Sequence, residues 1–120
     1  MFEFQNLEIY KKAKAFHLES KQLINSIQPD KTIKDQLSRA SFNIALNIAE
    51  GSGRFSKPDR RNFFIISRGS VFECVAILDI LHDSNFIEES TFNSFLKKAD
   101  ELSRILYTMV KNLSAWFHWF

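Results

Sequence analysis

One cysteine, two prolines and three glycines leave this 120-residue chain with few devices for stapling or reversing a polypeptide. The lone thiol, Cys74, excludes an intrachain disulfide and any metal site built from several cysteines. It lies among Phe72, Val75 and Ala76, so a buried, inert thiol is expected. Scarce glycine and proline argue against many short strands joined by tight turns and favour a few long helices. No run approaches the ~20 continuous apolar residues that span a bilayer. The opening MFEFQNLEIYKKAKAF lacks an apolar stretch with a cleavage site. A cytoplasmic, bacterial protein is expected. Charge of one sign is scarce too: the formal net charge of +2 is too small to argue for nucleic acid by itself.

What is present is apolar and aromatic. Hydrophobic residues make up 45% and charged residues 25%, which places the chain among soluble globular proteins. Its length suits one domain, residues 1–120, with a core that needs no staples. Thirteen phenylalanines exceed the ordinary need and imply a bulky core, a buried interface, or both.

Four helical segments separate along the chain. The first, from about Leu7 to Ile27, repeats Tyr10, Ala13, Phe16, Ser20, Leu23 and Ile27 at helical spacing and ends at Gln28-Pro29-Asp30. The second runs from about Thr32 to Glu50 and stops at Gly51-Ser52-Gly53, a carboxy-terminal glycine signal. Ser56-Lys57-Pro58-Asp59 opens the third, with Ser56 as cap and Pro58 in the first turn. That helix reaches about Ser84 and is apolar nearly all round. The fourth starts near Ser90 and carries Phe92, Phe95, Ala99, Leu102, Leu106 and Val110 on one stripe. Short connections between helices of this length predict an all-α, antiparallel up-down-up-down four-helix bundle.

The second helix holds more than a core stripe. At 100° per residue, Gln36, Arg39, Asn43, Asn47 and Glu50 form a polar seam between two apolar faces, one containing Leu37, Ala40, Ile44 and Ile48, the other Phe42, Ala45, Leu46 and Ala49. Both faces are expected to be covered, one by the chain's own core and the other by a second subunit. Arg39 then needs a carboxylate. Glu73, the one acid in the apolar middle of the third helix, follows the small residues Gly69-Ser70. The pattern predicts a buried polar network of Arg39, Asn43, Asn47 and Glu73 that fixes helix register, and a loss of several kcal/mol on removing Glu73.

A second cluster is basic. Five of the six arginines lie between Arg39 and Arg68, and the window from Arg54 to Arg68 carries net +4. Arg54, Lys57, Arg60 and Arg61 surround the start of the third helix, whose free amides favour anions, so contacts to RNA or DNA phosphates would be placed there. A solvated, self-paired helix terminus explains the same residues. Lys11, Lys12 and Lys14 would extend a cationic stripe if they share that end of the bundle. The closing Trp116-Phe117-His118-Trp119-Phe120 has two accounts: a cover for the open end of the bundle or a subunit contact.

Catalytic signals are weak. His17, His82 and His118 form no i, i+4 pair and no Glu-x-x-His motif, and Gly51-Ser52-Gly53 follows a helix and lacks the Lys of a phosphate-binding loop. No catalytic, cofactor-binding or metal-binding residues are assigned, no cofactor is expected, and an enzyme is not the expectation.

Gln36-Leu-x-Arg39-Ala40-Ser41-x-Asn43-Ile44-x-x-Asn47-Ile48-Ala49-Glu50-Gly51 resembles the hallmark of the bacterial four-helix-bundle proteins also called 23S rRNA intervening-sequence proteins. The resemblance takes in Phe4, Leu7, Ile9, Tyr10 and Ala13, then Ser56, Asp59, Phe63, Arg68-Gly69-Ser70 and Glu73. The last 35 residues match in helical character alone. Tyr10 stands where Trp is common and Asn43 where Ser is usual. The resemblance implies a homo-oligomeric ring, typically a homopentamer, with a link to RNA through the location of family genes. The family is similar to the accessory variability protein of diversity-generating retroelements, a pentameric, strongly basic barrel that binds nucleic acid and a reverse transcriptase. Partners implied are further copies of the chain, RNA or DNA, and a protein such as a reverse transcriptase. The alternative is a protein-protein interaction module that binds no nucleic acid.

Overall fold

Asp30 and Ser56 start the two central helices. The Asp30 carboxylate accepts from the Ile33 amide at 2.9 Å, and the Ser56 hydroxyl accepts from the Asp59 amide at 3.2 Å. Each bond satisfies one of the amides left without an intrahelical partner in a first turn. The computed structural model describes residues 2–115. Within them lie α1 (Glu8–Ile27), α2 (Lys31–Ser52), α3 (Lys57–Asp83) and α4 (Glu89–Ala115), preceded by a 3-10 turn at Glu3–Asn6, and no strand occurs among the described residues.

Cross-links between helices fix their directions. His17 and Lys21 of α1 meet Ser41 and Ser38 of α2, so one number rises as the other falls. Arg61 and Arg68 of α3 reach Ser114 and Ser103 of α4 in the same reversed order. Lys12 and Glu19 of α1 pair with Glu101 and Lys98 of α4. Each helix is thus antiparallel to its neighbours, and α1 and α4 close the square. This is the up-down-up-down four-helix bundle expected from the sequence.

The core takes one stripe from each helix. Ile9, Ala13, Phe16, Leu23 and Ile24 meet Leu37, Ala40, Ile44 and Ile48, then Phe64, Val71, Cys74, Leu78 and Leu81, then Phe95, Ala99, Leu102 and Leu106. Among the described residues serines are the buried polar groups, bonded either across to a neighbouring helix or back within their own. Ser67 of α3 donates to the Ile44 carbonyl of α2 at 2.8 Å, and Ser20 donates to Phe16 within α1 at 2.8 Å.

The glycines of α2 work differently from the sequence expectation. Gly53 caps the helix with φ −89° and ψ −4°, so no left-handed glycine cap forms. Gly51 lies inside the helix and is buried, because α3 crosses there. A β-carbon at Gly51 would stand 2.7 Å from Phe64 Cε1 and 3.0 Å from Phe63 Cβ. The left-handed positions are instead Gln28 (φ 50°), between α1 and Pro29, and Asn85 (φ 65°), after α3.

Candidate functional site

Phe42, Leu46, Ile65, Ile66, Phe72 and Ile80 are exposed large apolar residues on the two central helices. Their position follows from helical spacing. Leu37, Ala40, Ser41, Ile44, Ala45, Ile48 and Gly51 turn inward on α2, which leaves Arg39, Phe42, Asn43 and Leu46 outward. On α3, Phe64, Ser67, Ser70, Val71, Cys74, Leu78 and Leu81 turn inward, leaving Ile65, Gly69, Phe72, Glu73, Ala76 and Ile80 outward. Phe72 is 56% exposed and Phe42 48%. Scattered single apolar residues are normal on a surface, but a stripe along two helices marks an interaction face.

The second apolar face read from the sequence is therefore real in part: Phe42 and Leu46 lie outside, whereas Ala45 is buried in the core and Ala49 half-buried. The polar network is corrected. Arg39, Asn43 and Glu73 are exposed, and no ion pair joins Arg39 to Glu73 among the described residues. The cause is the width of the core stripe, which the apolar residues and serines fill without room for a seam. Asn47, half-buried, bonds within its own helix, its amide donating to the Asn43 carbonyl at 2.8 Å. Glu73 cannot supply several kcal/mol to the single chain from an exposed position. Sequence reasoning placed Ser20 on the core stripe of α1 but missed Ser41 and Ser67 as core polar groups, because serine carries no periodic signal of its own. The one available clue was their recurrence at core positions of the helical wheel.

The basic cluster gathers at one end of the bundle, around the α2–α3 turn. Arg54 pairs with Glu50 at 3.3 Å, with its guanidinium 4.6 Å from the Phe63 ring centre. Arg60 donates from Nε to the Arg54 carbonyl at 2.7 Å and from Nη2 to the Ser52 carbonyl at 3.4 Å, closing the turn. Arg61 donates to Ser114 of α4. Arg54, Lys57 and Arg60 remain exposed to solvent, and Phe55 stands fully out from the turn. Because α1 is antiparallel to α2, its first turns share this end. There Lys11 pairs with Glu8 at 3.6 Å, Lys12 with Glu101 at 2.9 Å, and Lys14 lies 5.5 Å from the Tyr10 ring centre. The Glu101 carboxylate raises the Lys12 pKa above its ordinary value, first through that hydrogen bond. The cations thus share one end, and most are already engaged by the chain. The aromatic run Trp116–Phe120, including His118, lies outside the described residues.

A third feature lies between α3 and α4. Arg68 rests 4.8 Å from the Phe72 ring centre and 5.4 Å from that of Tyr107, and donates to the Ser103 carbonyl at 3.2 Å. The two rings thus flank the Arg68 guanidinium.

The remaining titratable side chains have structural places. His17 Nδ1 is 2.8 Å from Ser41 Oγ and the ring packs 5.3 Å from Phe42; burial, then Lys21, lowers its pKa. Ser41 is fully buried, so this pair presents no nucleophile to solvent. His82 stacks on Phe92 at 4.4 Å. Burial pushes the Cys74 thiol up to about 12. A thiol-specific reagent at pH 8 is therefore expected to leave Cys74 unmodified in the folded protein and to react fully once urea unfolds it. Rapid reaction in native buffer would contradict that burial.

The fold and this surface define a four-helix bundle with a basic end and an apolar outer face on its two central helices. The chain belongs to the 23S rRNA-intervening sequence protein family, whose description matches residues 5–108. A solved structure with the same fold is a protein of unknown function from the S23 ribosomal protein family of Bacteroides thetaiotaomicron, with a TM-score of 0.80 at 20% identity. The match covers 86% of this chain and 98% of that one. Among curated proteins none matches. Neither the family description nor that of the structural neighbour carries a catalytic activity.

Proposed function

We propose that the protein is a non-enzymatic, self-assembling scaffold: a closed homo-oligomer of five subunits that presents its basic ends to RNA or DNA phosphates. The observation that carries assembly is the outward stripe of Phe42, Leu46, Ile65, Phe72 and Ile80. A closed ring needs two different patches on each subunit, each facing a different neighbour. Adjacent corners of a four-helix bundle look outward in different directions, so one chain can meet two different neighbours in a closed ring; the count of five is the one the family resemblance implies. The outer faces of α2 and α3 are such adjacent corners. Native mass spectrometry tests the count. One species of five copies is expected, and a monomer would overturn the scaffold.

Phosphate contact rests on the solvent-exposed Arg54, Lys57 and Arg60 at the α2–α3 turn, where five copies would repeat the cations around one rim. Binding of this kind is backbone-directed and weakens steeply with salt. Single-stranded RNA is expected to bind at 50 mM salt, to lose about tenfold or more of its affinity by 200 mM, and to be lost from an Arg60→Glu, Arg61→Glu variant. No binding at low salt would favour the alternative, a module that engages proteins alone.

A further inference from the structure

We infer that α2 of one subunit packs along α3 of the next, with Phe42 seated over Gly69 and Arg39 paired to the neighbouring Glu73. This rests on the ring proposed above and specifies its contact. The first observation is that Arg39 and Glu73 are both exposed and make no side-chain hydrogen bond or ion pair among the described residues. Arg39 bears electrostatically on Asp35, but that carboxylate is already held by Lys31 at 2.8 Å. An arginine beside Phe42 and Leu46 and a glutamate beside Phe72 are costly to cover unless they cover each other.

The second observation is Gly69. It lies mid-helix on the outer face of α3, and a β-carbon there would meet nothing within 4 Å. Glycine at such a place weakens the helix, and within one chain no turn, close approach or unusual torsion requires it. A neighbouring helix that carries a bulky ring across the position does.

Registry within the chain supplies the third. Ser67 of α3 bonds to Ile44 of α2 and Gly51 of α2 faces Phe63 of α3, two cross-contacts that bracket the register of this antiparallel pair to within about one helical turn. Each step forward on α2 is a step back on α3. Counting from the first contact puts Phe42 level with Gly69 and Arg39 with Phe72, and counting from the second puts them level with Phe72 and Val75, so Gly69 and Glu73 lie within about one turn of their partners. Rotation about an axis parallel to the helices leaves height unchanged, so the same levels face one another between neighbouring subunits of a ring. Apolar meets apolar, the ring meets the glycine gap, and the arginine meets the glutamate. Any sliding of one subunit past the other stays within about one helical turn.

Light scattering on four variants tests the register. Arg39→Glu and Glu73→Arg each place like charges together and are expected to weaken assembly about tenfold or more. Their combination is expected to restore it. Gly69→Leu is expected to keep helix content and raise the thermal midpoint of the isolated chain while abolishing assembly, since its side chain takes the space of Phe42. A wild-type ring that none of these variants weakens would overturn this register and leave the scaffold standing. A monomeric wild type would overturn the scaffold itself.

Discussion

Replacing Phe42 and Leu46 together by glutamate is expected to turn the multimer into a folded monomer. Both side chains are close to half exposed in the single chain and add little to its core, so helical content should survive. In an assembly they become buried. Burying a Phe or Leu contributes about 1.5–3 kcal/mol each. Two glutamates in their place bring desolvated charge without a partner. The combined loss of several kcal/mol corresponds to a weakening of about a thousandfold or more, at about 1.4 kcal/mol per factor of ten. Sedimentation at micromolar concentration would read the change directly. An unchanged sedimentation coefficient would remove Phe42 and Leu46 from the interface.

Gly51→Leu is expected to strike the fold itself. The approach of α3 to α2 leaves 2.7 Å between a β-carbon at Gly51 and Phe64 Cε1, less than any real contact of that kind. Phe64 is buried in the core, and Phe63 Cβ at 3.0 Å is tied to the α3 backbone, so neither can yield without moving the helix. Overpacking of this sort costs about 1–3 kcal/mol, a sizeable share of the 5–15 typical of a domain. Urea denaturation should show an earlier midpoint with little change in slope. An unaltered midpoint would mean that the helices part at this crossing. The contrast with Gly69→Leu is instructive: the same substitution one helix away meets open space in the single chain.

Much of the architecture was legible because helical periodicity and a handful of punctuating residues carry it. Ser56 capped the third helix as its sequence implied, and the boundaries at Gln28 and Asn85 fell where the chain adopts left-handed backbone. The role of Gly51 was not legible. Glycines near a helix end suggest a cap, and only the position of a second helix reveals a close approach. The polar seam failed for a related reason. Spacing places Arg39, Asn43 and Asn47 on one stripe, but spacing alone cannot tell a covered stripe from an open one. Whether the stripe is covered depends on how wide the core is, which is a property of four helices together. The basic residues do gather at the α2–α3 turn; the Glu50–Arg54 pair follows i, i+4 spacing, whereas the carbonyls taken by Arg60 and the Ser114 hydroxyl taken by Arg61 are displayed by no linear pattern.

The same limit explains why the sequence pointed to an interior pair and the structure exposes both members. Arg39 and Glu73 suit each other by charge and by level along the bundle, and the chain keeps them on separate outward faces. If the proposed assembly forms, the hallmark residues record what it buries as well as what one chain buries.

The most direct test of a self-assembling bundle is the mass of the protein in dilute solution, measured by light scattering on the eluting peak. One chain weighs 14.0 kDa, so a closed ring of five gives about 70 kDa, constant across the peak and under dilution. A peak at 14.0 kDa would contradict assembly and leave the apolar faces of α2 and α3 without the role assigned to them.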